Sequence, residues 1–123
     1  MLASEMPAGS DIEQSACEAV VCLVSAPPVR ARQIASTIVD ERLAACVSIV
    51  PAAHSVYRWQ GRVEHEEEAL LVVKTLGAAV ARLEALLRTI HPYENFELVA
   101  LEVLDGSQSY LEWIGDCVSP APD

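Results

Sequence analysis

Basic residues are scarce in this chain. Eight Lys and Arg stand against eighteen Asp and Glu, a formal net charge of −10 over 123 residues. A surface of that sign repels polyphosphate, which argues against nucleic acid as a partner. Aromatics are few, at 5 %. The apolar runs Ala19–Val24 and Ala69–Val73 contain none, so the base-stacking strands of an RNA-recognition domain are missing. No apolar run approaches the roughly 20 residues of a membrane-spanning helix, and no membrane partner is expected. The N-terminal stretch has neither the basic nor the apolar region of a signal peptide. No Gly-rich phosphate loop occurs. The four cysteines, Cys17, Cys22, Cys46 and Cys117, form no C-x-x-C pair and match no zinc module. Cys22 and Cys46 sit in apolar runs and read as buried free thiols, which suits a reducing cytoplasm.

Apolar residues, by contrast, are plentiful at 52 %, enough for one packed domain. Residues 1–18 carry Glu5, Asp11, Glu13 and Glu18 without one basic residue and read as a flexible acidic tail. The folded domain is expected over residues 19–118, and 119–123 as a frayed end. Ala19–Val24 reads as a buried strand. Pro27 and Pro28 then mark a strand-to-helix junction. A helix is expected from about Val29 to Ala44, with Ala31, Ile34, Ala35, Ile38, Val39 and Leu43 on its apolar face.

Cys46–Val50 starts a second strand. Pro51 predicts an edge position or a bulge, and the strand resumes through Ser55, Val56, Tyr57 and Trp59. Gln60 and Gly61 supply a tight turn, with a return strand from Arg62 to Thr75. A second helix follows over Gly77–Ile90, with Val80, Leu83, Leu86, Leu87 and Ile90 as its stripe. Phe96–Leu104 reads as a fourth strand. A last helix is expected from about Ser109, capped by Ser109 and Glu112. It carries Tyr110, Trp113, Ile114 and Cys117 on one side.

The order is β-α-β-β-α-β plus a C-terminal helix, an α+β, ferredoxin-like arrangement. Its crossover helices cover one face of an antiparallel sheet. The first three strands are nevertheless apolar on both faces, and a long exposed apolar face is untenable in water. Other copies of the chain are the simplest cover, with Tyr57, Trp59, Leu71 and Val73 expected where subunits pack.

Several separated motifs then agree in order and spacing. They are LAACVSIVP (Leu43 to Pro51), Tyr57-x-Trp59-x-Gly61, Glu68, Lys74-Thr75, His91-Pro92-Tyr93 and Tyr110-Leu111-x-Trp113. Together they resemble the CutA family of divalent-cation tolerance proteins over about residues 19–118. The resemblance implies a non-enzymatic homotrimer, similar to PII signalling proteins, and a role in the response to copper and other divalent ions. It requires no cofactor; copper or another divalent metal is the implied ligand.

The implied ligands are only partly kept. Copper-binding members end the first strand in cysteine, where Val24 stands here; Cys22 lies two residues earlier on the same face. Some members carry a double histidine where this chain has Ile90-His91. Cys46 matches the cysteine after the double alanine. The metal candidates are therefore His91, Cys46 and Cys22, and soft thiolate and imidazole favour Cu(I) or zinc. Phe96 replaces a usual proline, and Ala52 replaces a usual glycine.

Each candidate also has a plainer role. His91 suits a helix C-terminus, where it would cap a carbonyl. Cys46 suits a small core residue. The Glu64–Glu68 run, with Glu64, Glu66 and Glu68 on one side, reads as a solvated ribbon rather than a hard-ion cage. Glu68, Lys74, Tyr93 and Trp113 are expected to line a cleft between subunits, with Lys74 as a charge partner. A PII-like sensor holding a small metabolite in that cleft is the alternative. An enzyme with Cys46 as nucleophile and His91 as base is a rival reading, and its acylphosphatase-like form is disfavoured because Pro27 and Pro28 remove N–H donors from the first loop.

Overall fold

The computed structural model describes residues 18–120; the expectations for residues 1–17 and 121–123 lie outside the described residues. Strand β1 spans Ala19–Ala26 and ends where the two prolines begin. Helix α1 spans Pro28–Asp40, with Pro28 in its first turn, where a missing N–H costs no hydrogen bond. It stops four residues before the expected Ala44. Arg42 turns to φ 59°, and the Leu43 N–H reaches back to the Ile38 carbonyl at 3.1 Å, which closes the helix. Leu43 is buried all the same, whereas Val39 is 39 % exposed.

Strands β2 (Cys46–Trp59) and β3 (Arg62–Leu76) form one long hairpin. Its two-residue turn has positive φ at both Gln60 (50°) and Gly61 (79°), the twist that matches the flanking strands. A register shift separates Val50 from Ala53, so the bulge expected at Pro51 is present, and β2 is also an edge strand. A single 3-10 turn, Gly77–Ala79, leads into helix α2 (Val80–Ile90). Strand β4 is only Val99–Glu102, shorter than the expected Phe96–Leu104. Phe96 and Leu98 instead pack against the core.

Helix α3 spans Gln108–Cys117, and its cap is Ser107, not Ser109. Glu112 accepts from Gln108 at 3.2 Å, so it does not reach back across the cap. Leu111 and Ile114 are its buried side; Tyr110 and Trp113 are exposed, against the expected stripe. Ser119 and Pro120 are tied to the folded domain. The Ser119 N–H bonds the Arg42 carbonyl at 2.9 Å, and Arg82 donates to the carbonyls of both residues.

The sheet order is β2-β3-β1-β4, all antiparallel, as the ferredoxin-like reading requires. Helices α1 and α2 lie on one face. Ala31, Ile34, Ile38, Leu83 and Leu87 pack there against Val20, Cys22, Val24, Ala69, Leu71 and Val73. This corrects the placement of Leu71 and Val73. Both are fully buried in the subunit's own core, because their odd positions on β3 share the helix face with Ala69 and Thr75.

The even positions Leu70, Val72 and Lys74 take the other face. Val21 and Leu23 of β1, Val50 of β2 and Val99 and Leu101 of β4 join them. No helix of the described residues covers this face: Val50, Val99 and Leu101 are 46 %, 48 % and 49 % exposed.

Beyond Ala69, β3 has no pairing with β1, so residues 53–68 project as a bare two-stranded ribbon. At its root, Ala52 holds φ 65°, a left-handed conformation that crowds a Cβ. The Ala52→Gly substitution relieves that strain, less the entropy glycine adds to the unfolded chain. It should stabilise the protein by about 0.5–1 kcal/mol, read as a higher denaturation midpoint with unchanged denaturant slope.

Candidate functional site

Where the ribbon leaves the sheet, four residues from three segments form one hydrogen-bonded chain. Glu68 ends the ribbon and is only 5 % exposed. The Tyr93 hydroxyl donates to it at 3.1 Å. The Tyr93 N–H in turn donates to Nδ1 of His91 at 3.1 Å. Nε2 of His91 bonds the Ser25 carbonyl at the end of β1 at 2.8 Å. Because a carbonyl only accepts, Nε2 carries the proton and Nδ1 offers its lone pair to Tyr93. The ring is neutral and both nitrogens are used. Phe96 stacks on it, with centroids 5.3 Å apart.

His91 is the residue that closes α2, as its plainer role requires. Its imidazole nevertheless bonds a strand carbonyl rather than the helix's own. It thereby pins the α2 C-terminus to β1. Arg30 adds a second tie, donating from α1 to the Ile90 carbonyl at 3.2 Å.

Burial, followed by the Glu68 hydrogen bond and charge, pushes the Tyr93 hydroxyl up to about 12. The outer Tyr57 is also raised, first by its 3.0 Å hydrogen bond to Glu66. Among the described residues, the ion pairs are Arg62–Glu64 and Arg88–Glu84. Neither involves Glu68, so its carboxylate is buried beside one hydroxyl and no cation.

The expected charge partner is elsewhere. Lys74 donates to Ser48 Oγ at 3.1 Å and lies 3.9 Å from Cys46 Sγ. Six residues of strand separate it from Glu68, about 20 Å. Trp113 is on α3, whose buried side packs with Ala19, Ala45 and Ala79 at the same far end of the sheet. The residues assigned to one cleft thus fall into an upper group (Glu68, Tyr93, His91) and a lower group (Lys74, Cys46, with Trp113 near that end). A single chain does not bring them together.

The implied copper ligands do not fit a centre within one chain. His91 has no free lone pair. Cys22 is fully buried in the helix-side core, and burial pushes its thiol up, away from the thiolate a metal needs. Cys46 stands beside an ammonium in the lower group. Among the described residues, no three His, Cys, Asp or Glu gather closely enough to hold a metal.

Two features escaped the sequence patterns. One is the Ser25 carbonyl, a backbone group with no residue signature. The other is the close approach of His54 and His65 across the ribbon, at 3.3 Å. Only the register of β2 on β3 exposes it.

Residues 19–117 match the model of the family described as "CutA1 divalent ion tolerance protein". The chain is 46 % identical over 95 residues to the divalent-cation tolerance protein CutA of Thermus thermophilus, covering 76 % of this chain and 92 % of that protein. It is 41 % identical over 88 residues to a CutA homolog of Xenopus laevis, covering 72 % of this chain and 58 % of that longer relative. A solved structure of the Thermus thermophilus Cut A1 protein superposes with a TM-score of 0.80 at 43 % identity. That match covers 82 % of this chain and 99 % of the other.

The Tyr93 hydroxyl has a folded-state pKa above its ordinary value of 10.0. Its stabilising effect is therefore complete below pH 10 and lost as pH rises through about 12. The Tyr93→Phe variant should be about 1 kcal/mol less stable at pH 8, with the gap closing over that window. Denaturation midpoints of both proteins across the alkaline range check this.

Proposed function

We propose, on the premise that this chain belongs to the CutA1 divalent ion tolerance family, that it acts as a cytoplasmic homotrimer in the response to divalent metal ions. Copper is among the metals it responds to, bound weakly and in the Cu(I) state that thiols and imidazoles favour, and the protein is not an enzyme. The open apolar sheet face carries this reading. Val21, Leu23, Val50, Leu70, Val72, Val99 and Leu101 lie on it together. Burying one such side chain in full is worth roughly 1.5–3 kcal/mol, so several half-exposed ones favour association strongly. The Glu68 carboxylate lies on the same face, and the upper and lower groups of polar residues sit at its two ends. Packing three copies around an axis that the strands run across brings one end of each chain against the other end of its neighbour. Buried Glu68 and the ammonium of Lys74 then have neighbours that one chain does not supply.

The separation of Cys46 from His91 supports the non-enzymatic part. A nucleophile needs its base within hydrogen-bond reach, and here the base's lone pair is already engaged. The free thiols of Cys22, Cys46 and Cys117 support a reducing compartment. A second reading, a sensor of a small anionic metabolite, is favoured by Lys74. Its ammonium bonds a hydroxyl and neighbours a thiol but pairs with no carboxylate among the described residues.

Three experiments test these statements. Light scattering should give about 40 kDa, three chains of 13.3 kDa each, and Leu101→Glu should shift the mass toward one chain. A folded single-chain particle from the unaltered protein overturns the trimer. Calorimetric titration of the reduced protein with Cu(I) should give a weak signal that persists in His91→Ala. Loss of the signal in that variant would restore His91 as a ligand. If neither copper nor a chelator moves the melting temperature while an anionic metabolite raises it, the sensor reading replaces the metal one.

A further inference from the structure

His54 and His65 take no part in the network at the ribbon's root. They project from adjacent strands and both are exposed, with His54 Nε2 3.3 Å from His65 Nδ1. The ring planes are inclined by 50° with centroids 5.5 Å apart, so the contact is nitrogen to nitrogen rather than face to face. In the register, His54 lies opposite Glu67 and His65 opposite Val56. The two imidazoles are therefore diagonal neighbours on one face of the ribbon. Tyr57, Glu64, Glu66 and Glu68 occupy the other face, the one continuous with the open side of the sheet.

We propose that His54 and His65 form a two-imidazole binding site for Zn(II) on the outer face of the ribbon. The spacing is the main argument. Zinc holds histidine nitrogens at about 2.0–2.1 Å in a tetrahedral shell, which sets two such nitrogens about 3.3–3.4 Å apart. The observed pair already stands at that bite. Without metal, one neutral imidazole donates its N–H to the lone pair of the other. On binding, that proton moves through solvent to the donor ring's outer nitrogen, so two neutral rings face the ion with lone pairs and no net proton is released.

Glu67 beside His54 and a chain of net charge −10 make the surroundings favourable to a cation. Among the described residues no third ligand completes the set, so water fills the remaining positions and the ion exchanges readily. The site lies on the ribbon face away from the proposed trimer contact, and it does not depend on the family's role.

The test uses the full chain without a histidine tag. The protein has three histidines, His54, His65 and His91, so its imidazole carbon–proton spectrum has three assignable signals. Zinc chloride added at pH 7.5 should shift the His54 and His65 signals together, saturating at one ion per chain, and leave His91 in place. His54→Ala and His65→Ala should each weaken binding by about tenfold or more, since even a residue that only supports a ligand costs that much. Both positions are exposed, so the melting temperatures should not change. The proposal is overturned if no saturable shift occurs, if the two signals titrate independently, or if either single variant binds as tightly as the parent.

Discussion

The sheet has two apolar faces, and the helices of the described residues cover only one of them. Strand alternation forces this. On β3, Ala69, Leu71, Val73 and Thr75 point to the helices, while Glu68, Leu70, Val72 and Lys74 point away. Closing the helix side uses up α1 and α2, and α3 is spent at the end of the sheet against Ala19, Ala45 and Ala79. Everything proposed about assembly follows from the face left over. The polar groups gathered on it gain a setting only when another surface arrives.

The root of the ribbon is where that face meets the rest of the chain. Glu68 is the last residue before β3 enters the sheet fully. One hydroxyl, one imidazole and one carbonyl join it to β1 and to the end of α2. His91 works here as a positioning group. Its neutral ring ties a helix end to a strand end, and its aromatic neighbours shield those bonds from water. A residue with the chemistry of a metal ligand is thereby engaged in holding the fold.

Several features were legible from residue order alone. The two prolines placed the start of α1, Gln60-Gly61 placed the ribbon turn, and Pro51 announced the bulge. The helix-facing stripes of Ala31, Ile34 and Ile38, and of Leu83 and Leu87, followed from their spacing. The errors have specific causes. Helix α1 ended early because a non-glycine residue, Arg42, took the closing left-handed conformation. Residue order alone leaves Leu71 and Val73 as candidates for the subunit contact, because a run apolar on both faces does not say which face its own helices cover. Strand β4 came out short because Phe96 and Leu98 found cover among the helices instead of a ladder partner. His54 and His65 stand eleven residues apart, and no local period pairs them; the bulge and the turn set the register that does.

By itself the sequence determined the element order, the polarity of each strand position and the chain's excess of apolar surface. These depend on steric preference and on periods of 2 and 3.6, which act between near neighbours. Tertiary structure alone decided that both nitrogens of His91 are engaged, which end of the sheet holds Lys74, and which two imidazoles meet. These depend on distances of a few ångströms between segments far apart in the chain, and only the packed sheet sets them.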